Sequence, residues 1–308
     1  MSVDTRGPMG SKWMKGNLIM YPQAAGYGVE YCVDSVNGND NNSGFDWGHA
    51  KKLLSATITA SNTYIAITKN ANKRNKIYIG GGMLSEVLTT LPNQCDIIGV
   101  GNRTAWSPLI NGVMTIGTAV NSCHFWNIGF FSNTSAPLVT IPSGSHGIGF
   151  HQCEFINGGS SVTHGLHITN CNSIVIDNNM FVGNPVLPIG IYFAGPLWNS
   201  CKITNNFISA TTVGIYGHTN ITADFQSLIG WNVICRADPN GFNYQLTHGI
   251  SFNTDSASNY MIVGNWISAT DAIKPDDSAG VKRQFMCIGN LVNQGTNAGI
   301  EDGVTNFT

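Results

Sequence analysis

From Ser122 to Val292 the chain runs in short apolar bursts, and one burst recurs at nearly constant spacing. A few alternating apolar residues lead to Asn or a small polar residue, then to a large apolar one. The burst reads CHFWNIGF ending at Phe130, GIGFHQCEF at Phe155, SIVIDNNM at Met180 and CKITNNF at Phe207. It returns as LIGWNV at Val233, MIVGNW at Trp266 and MCIGNL at Leu291, in steps of 25, 25, 27, 26, 33 and 25 residues. Between the bursts a second theme, Gly followed by an apolar residue, recurs at Gly165-Leu166, Gly190-Ile191, Gly214-Ile215, Gly249-Ile250 and Gly299-Ile300. A period in the twenties marks a solenoid, and the content of the period decides its kind.

That content is strand. SIVID, CKITN and MIVGN are rich in β-branched residues, and Gly, Asn, Ser and Pro fill the gaps. No segment of this region carries ten residues of helical apolar spacing, and no Leu stands at fixed offsets as a leucine-rich repeat requires. Two or three short strands per turn of about 25 residues describe an all-β, right-handed parallel β-helix. Asn178/Asn179, Asn205/Asn206, Asn232, Asn265 and Asn290 sit at matching places, as a ladder of side-chain amides at a bend needs. The 33-residue step includes Ala237–Tyr244 and predicts extra chain thrown out of one coil.

The segment before the repeats divides in two. Residues 1–30 lack periodicity and are expected to form an extended arm, with residues 31–308 as the β-helix. Trp13, Met14, Leu18, Ile19, Met20, Tyr21 and Tyr27 make the arm too apolar to rest in water, so it is expected to dock on its own β-helix or on a partner, with Lys12 and Lys15 meeting acidic patches there. Between about 47 and 69, Ala50, Leu53, Leu54, Ile58, Tyr64 and Ile65 fall at three-and-four spacing with Asp46 placed to cap. A short helix there would close the raw end of the solenoid. Lys76–Gly80 and Asp96–Val100 are the expected first coil strands, and no amphipathic cap is expected after the last coil.

Composition narrows the partners. Charged residues are only 10% of 308 and the formal net charge is -2, against about 25% charged in ordinary domains. Polarity comes instead from amides and hydroxyls, with 35 Asn. No basic stripe exists beyond Lys69–Lys76, so nucleic acid is not an expected partner. The eight Cys show neither CxxC nor zinc spacing and read as buried thiols. No signal peptide and no membrane span is expected, which implies synthesis in a cytoplasm. Asp34, Asn37, Asn39, Asp40 and Asn42 have the composition of a calcium loop, but its sixth-position Gly and closing Glu are missing. An ordinary turn is expected there, with no metal and no cofactor.

The order VDSVNGND, then DWGHAKKLLSAT, KIYIGGG, LPNQCDIIGVG and the repeats resembles the right-handed parallel β-helix superfamily of pectate lyases and phage tailspikes. More narrowly it is similar to short β-helix proteins of tailed bacteriophages that carry an N-terminal arm. The resemblance implies a homotrimer on a virion surface, made in the host cytoplasm. Its arm would dock on the major capsid protein, as in capsid-decoration (cement) proteins. On that reading no enzyme is expected.

The alternative is a glycosidase or a glycan-binding spike acting on host surface polysaccharide. Asn253-Thr254-Asp255 resembles the NTD motif of polygalacturonases, and Asp276-Asp277 follows about one coil later, as that family's DD pair does. Two carboxylates are what an inverting hydrolase needs. His248-Gly249 precedes the motif instead of following it, and Lys282-Arg283 is the nearest basic pair. The catalytic candidates of this alternative are Asp255, Asp276, Asp277 and His248. The pairs at His146 and His164, and strand-face His124 and His151, read as structural.

Overall fold

A computed structural model describes residues 27–307 except 68–69, 71, 81, 102–107, 160–161, 184–185, 196–199, 218–224, 239–240, 245, 253–258, 276–283 and 295–304. The chain coils as a parallel β-solenoid. Eleven strands, the first at Tyr27–Val33 and the last at Thr305–Phe307, stack in parallel into one sheet. A second sheet of fifteen strands forms the rest of the wall. The long strands Phe207–Gly217 and Trp266–Pro275 cross its bend and pair on both sides of it. The extra chain of the 33-residue step is a hairpin: Gly241–Tyr244 folds back antiparallel on Val233–Asp238.

Register places like on like. On the first sheet Ile77, Ile97, Phe125, Phe150, Ile176, Ile203, Ile229, Ile262 and Cys287 form one inward column. On the second, Leu84, Ile110, Phe130, Phe155, Phe181, Ile208, Ile234 and Ile267 form another. The aromatic members stack as offset pairs, with Phe155 and Phe181 centroids 4.4 Å apart and Phe125 and Phe150 5.1 Å apart.

Of the large apolar residues closing each burst, only Phe130 and Phe155 point inward; Met180, Phe207, Val233, Trp266 and Leu291 form the column one position earlier, which faces out. The side-chain period of two turns a one-residue offset into the opposite face.

The Asn ladder is present at the corner between the sheets. Asn179 donates to Asn206 Oδ1 at 3.0 Å and to the Phe150 carbonyl at 2.9 Å. Asn206, Asn232 and Asn265 repeat the pattern, ending on Asn290. These buried amides satisfy one another and the bent backbone, where each would otherwise be a desolvated polar group. The preceding corner position is left-handed in seven successive coils: Asn127, Gln152, Asn178, Asn205, Trp231, Gly264 and Gly289 have φ between 54° and 63°. Asn and Gly tolerate that region; Gln152 and Trp231 are the exceptions.

The expected helix over 47–69 is two pieces, a short 3-10 turn at Trp47–His49 and an α-helix at Leu54–Ala66. Asp46 caps the turn, accepting from the His49 amide at 3.0 Å, and does not reach the helix. The break lies where Lys51 pairs with Val33 at the sheet edge, its amide donating to the Cys32 carbonyl. The helix is capped instead by Glu86, whose carboxylate accepts from the Leu54 and Ser55 amides. Leu54 and Ile58 are fully buried and join the core at its amino-terminal end. The first coil strands lie at Arg74–Ile79 and Cys95–Gly99, close to expectation. Asp34 accepts hydrogen bonds from the Val36 and Asn37 amides, and Lys51 Nζ donates to the Asp40 and Asn42 carbonyls. That is a self-closed turn.

Candidate functional site

The Gly–apolar theme marks the wall that carries the site. An added Cβ on Gly165, Gly190 or Gly214 would stand 2.7 Å from the carbonyl oxygen of the next coil's glycine, and one on Gly249 2.5 Å from the Ala272 oxygen. Only glycine lets successive coils approach so closely. Two outward columns flank this glycine seam. One is His164, Ile189, Val213, His248 and Asp271; the other is His167, Tyr192, Tyr216, Ser251 and Lys274.

Aromatic rings line the early part. His164 and Tyr192 stack at 4.7 Å, Tyr192 and Tyr216 at 5.4 Å, and His167 meets Tyr192 edge-on at 4.9 Å. Desolvation pushes His164 down to about 4, helped by neighbouring His167, and lowers His167 as well. Both rings are neutral at pH 7 and belong to the stacked platform. Desolvation raises the Tyr192 phenol, with Tyr216 adding to it.

Further along, the wall opens into a groove of about 380 Å³ bounded by Ile189, Val213, Tyr216, His248, Phe252 and Lys274. Here His248 Nδ1 stands 2.8 Å from Asp271 Oδ2, with both side chains about four-fifths shielded (22% and 17% exposed). The contact is an ion-pair distance out of line for a hydrogen bond, and Nδ1 has no hydrogen-bond partner. Lys274 Nζ is 4.0 Å from the same carboxylate oxygen. The groove thus brings an imidazole, a carboxylate and an ammonium together beside stacked ring faces.

Of the residues expected from sequence, His248 lies in the groove. Asp255, Asp276 and Asp277 fall outside the described residues, as do Lys12, Trp13, Met14, Lys15, Leu18, Ile19, Met20 and Tyr21 of the arm. Asp271, Lys274, Tyr192 and Tyr216 were not anticipated. Tyr192 and Tyr216 each directly follow a Gly–apolar pair, so they had a signal in the chain, whereas Asp271 and Lys274 flank Ala272-Ile273, where alanine replaces the glycine. Among the described residues no three His, Cys, Asp or Glu gather to hold a metal ion. No helix among them is long and apolar enough to cross a membrane.

No protein-family model and no curated protein matches the sequence. Solved structures do. Pectate lyase Pel9A overlays with a TM-score of 0.52 and 12% identity, over 91% of this chain and 80% of that one. The chain is a right-handed parallel β-helix. A lacto-N-biosidase from Eubacterium ramulus overlays at 0.48 with 11% identity, over 90% of this chain and 57% of that one. Pectin methylesterase PemA from Erwinia chrysanthemi does so at 0.39 with 11% identity, over 92% and 94%. At such identities the likeness to the lyase establishes the shared fold. The expectation that no enzyme is present is corrected here: Pel9A, which shares the fold, is a pectate lyase, so the fold gives no ground for excluding activity.

Proposed function

We propose that this β-helix acts on a polysaccharide held along the glycine seam, with His248 exchanging a proton and Asp271 orienting it. The observation that carries this reading is the His248–Asp271 contact at the end of a stacked aromatic wall. Pyranose rings present apolar C–H faces that suit aromatic platforms, and their hydroxyls suit the Ser251 and Thr212 rim. With substrate bound, an Nδ1–H brought into line with the Asp271 carboxylate would fix the tautomer whose Nε2 lone pair accepts a proton. Lys274 supplies positive charge for an anion developing on the sugar, or for a uronate carboxylate. The groove supports the glycan reading over capsid decoration, which rests on arm residues outside the described chain.

The test is turnover of host-surface and uronate-containing polysaccharides, read as new reducing ends and as unsaturated sugar. H248A and D271N are expected to lower kcat at least a hundredfold while leaving polysaccharide retention within about threefold, as for loss of a general base. Turnover unchanged in both variants would remove His248 and Asp271 from the chemistry.

A second reading, assembly as a homotrimer, is favoured by a separate observation. The outward column Met180, Phe207, Val233, Trp266 and Leu291 meets Trp231, Met261, Met286 and Ile288 around the Asn corner. Trp231 is 53% exposed and Leu291 64%. Trp231 also holds a left-handed backbone, its ring lying where a side chain on Gly264 would stand. A ridge of this extent is usually buried by association. In sedimentation, L291K with M261K is expected to leave a folded monomer; a wild-type chain that is already monomeric at micromolar concentration contradicts the reading.

A further inference from the structure

On the first sheet, away from the groove, two imidazoles face each other. His124 Nδ1 and His151 Nε2 are 3.2 Å apart. His124 pairs across the ladder with Gly149, and His151 with Trp126, so the histidines are diagonal neighbours on adjacent coils. Gly149 leaves the room they meet in. A Cβ there would lie 2.6 Å from each of these two nitrogens, so any side chain would drive the rings apart. Trp126 stacks on His151 with centroids 3.9 Å apart and fixes its plane. A hydrogen bond to the Gly147 backbone engages the His124 ring.

We propose that His124 and His151 form a two-imidazole claw for a divalent transition-metal ion such as Zn²⁺, Ni²⁺ or Cu²⁺, with water or an external ligand completing the shell. Two imidazole nitrogens at about 2.0–2.1 Å from a tetrahedral ion stand about 3.3–3.4 Å apart, against the 3.2 Å present here. The chemistry is selective, because nitrogen donors suit these ions and not the oxygen-seeking Ca²⁺ or Mg²⁺. The nearby carboxylates are otherwise engaged. Asp96 is held by Arg74, and Asp177 accepts from Thr204 and Asn205. The claw therefore offers two donors and open positions. Without metal one ring donates its N–H to the other; with metal that ring takes the tautomer whose proton sits on its far nitrogen, so both facing nitrogens offer lone pairs and no proton is lost.

The experiment titrates Ni²⁺ or Cu²⁺ alone into the full chain, following Trp fluorescence and the melting temperature. Wild type is expected to show saturable quenching at one ion per chain, because Trp126 lies against the metal-bound ring. H124Q and H151Q should each weaken binding at least tenfold, and H248A should leave it unchanged. Seven Trp share the emission, so W126F is the internal control: most of the quenching goes while the metal-induced rise in melting temperature stays. G149A should lose both. Saturable binding that survives in H124Q and H151Q, or an absence of saturable binding in wild type, would overturn the claw.

Discussion

The strands Phe207–Gly217 and Trp266–Pro275 each serve two surfaces with opposite chemistry. At one end Phe207 and Trp266 extend the apolar ridge beside the Asn corner. At the other, Tyr216, Asp271 and Lys274 line the groove. Between them lie residues that face only the core, such as Ile208, Ile215, Ile267 and Ile273, all fully buried. Inward columns obey one rule along the whole stack, because every coil must present the same volume to the coils above and below. Outward columns have no such partner. They are free to carry polar rings on one wall and Met, Trp and Leu on another, so function in this fold divides by column and not by strand.

The largest effect should come from breaking what both surfaces share. Phe155 sits between Phe130 and Phe181 in the aromatic stack. F155A should destabilise the chain by about 3–5 kcal/mol, lowering the urea midpoint and loosening groove and ridge together. If either surface keeps its binding or assembly at the new midpoint, the two are not mounted on one core. A smaller effect is expected at the corner. Asn206 accepts from the Asn179 amide and side chain and donates to Asn232 and the Ile176 carbonyl. N206L leaves buried donors unmatched and should cost about 1–3 kcal/mol, whereas an exposed corner change such as N205G should cost far less.

Titration separates the polar walls from the apolar ridge more gently. His124 and His164 are each held down from the ordinary 6.5 to about 4, first by desolvation and then by a neighbouring group, the Arg74 cation for His124 and the His167 imidazole for His164. Between those two pH values the unfolded chain binds protons that the folded chain refuses. Stability is therefore full above about 6.5 and falls as pH drops toward about 4. Urea midpoints measured across this window should slope less steeply in H124Q and H164Q than in wild type. Equal slopes would mean that burial of these rings is not felt.

The repeat made much of this readable in advance. Asn179, Asn206, Asn232, Asn265 and Asn290 declared themselves because a corner that must hydrogen-bond its neighbours leaves the same residue at each turn. The Gly–apolar seam was equally visible. What it carried was not, since outward neighbours need not repeat: Ile189 and Val213 occupy the places that His248 and Asp271 hold two coils later. A search for paired Asp, as glycosidases use, passes over a base and an acid one coil apart. The ridge was hidden by a single-residue offset, because Met180 and Phe181 are both large and apolar and only the pleat decides which is inside. The helix start was misplaced because Asp46 and Glu86 are both plausible caps, and only Glu86, from a distant segment, reaches the first turn.

The most direct measurement compares the affinity of one polysaccharide, on which the wild type is active, for three folded chains: wild type, Y216A and L291K. If the glycine seam holds the glycan, Y216A should bind at least tenfold more weakly, while L291K at concentrations where it is monomeric should match wild type. Equal affinity in wild type and Y216A, or a loss confined to L291K, would contradict the assignment of glycan binding to the groove.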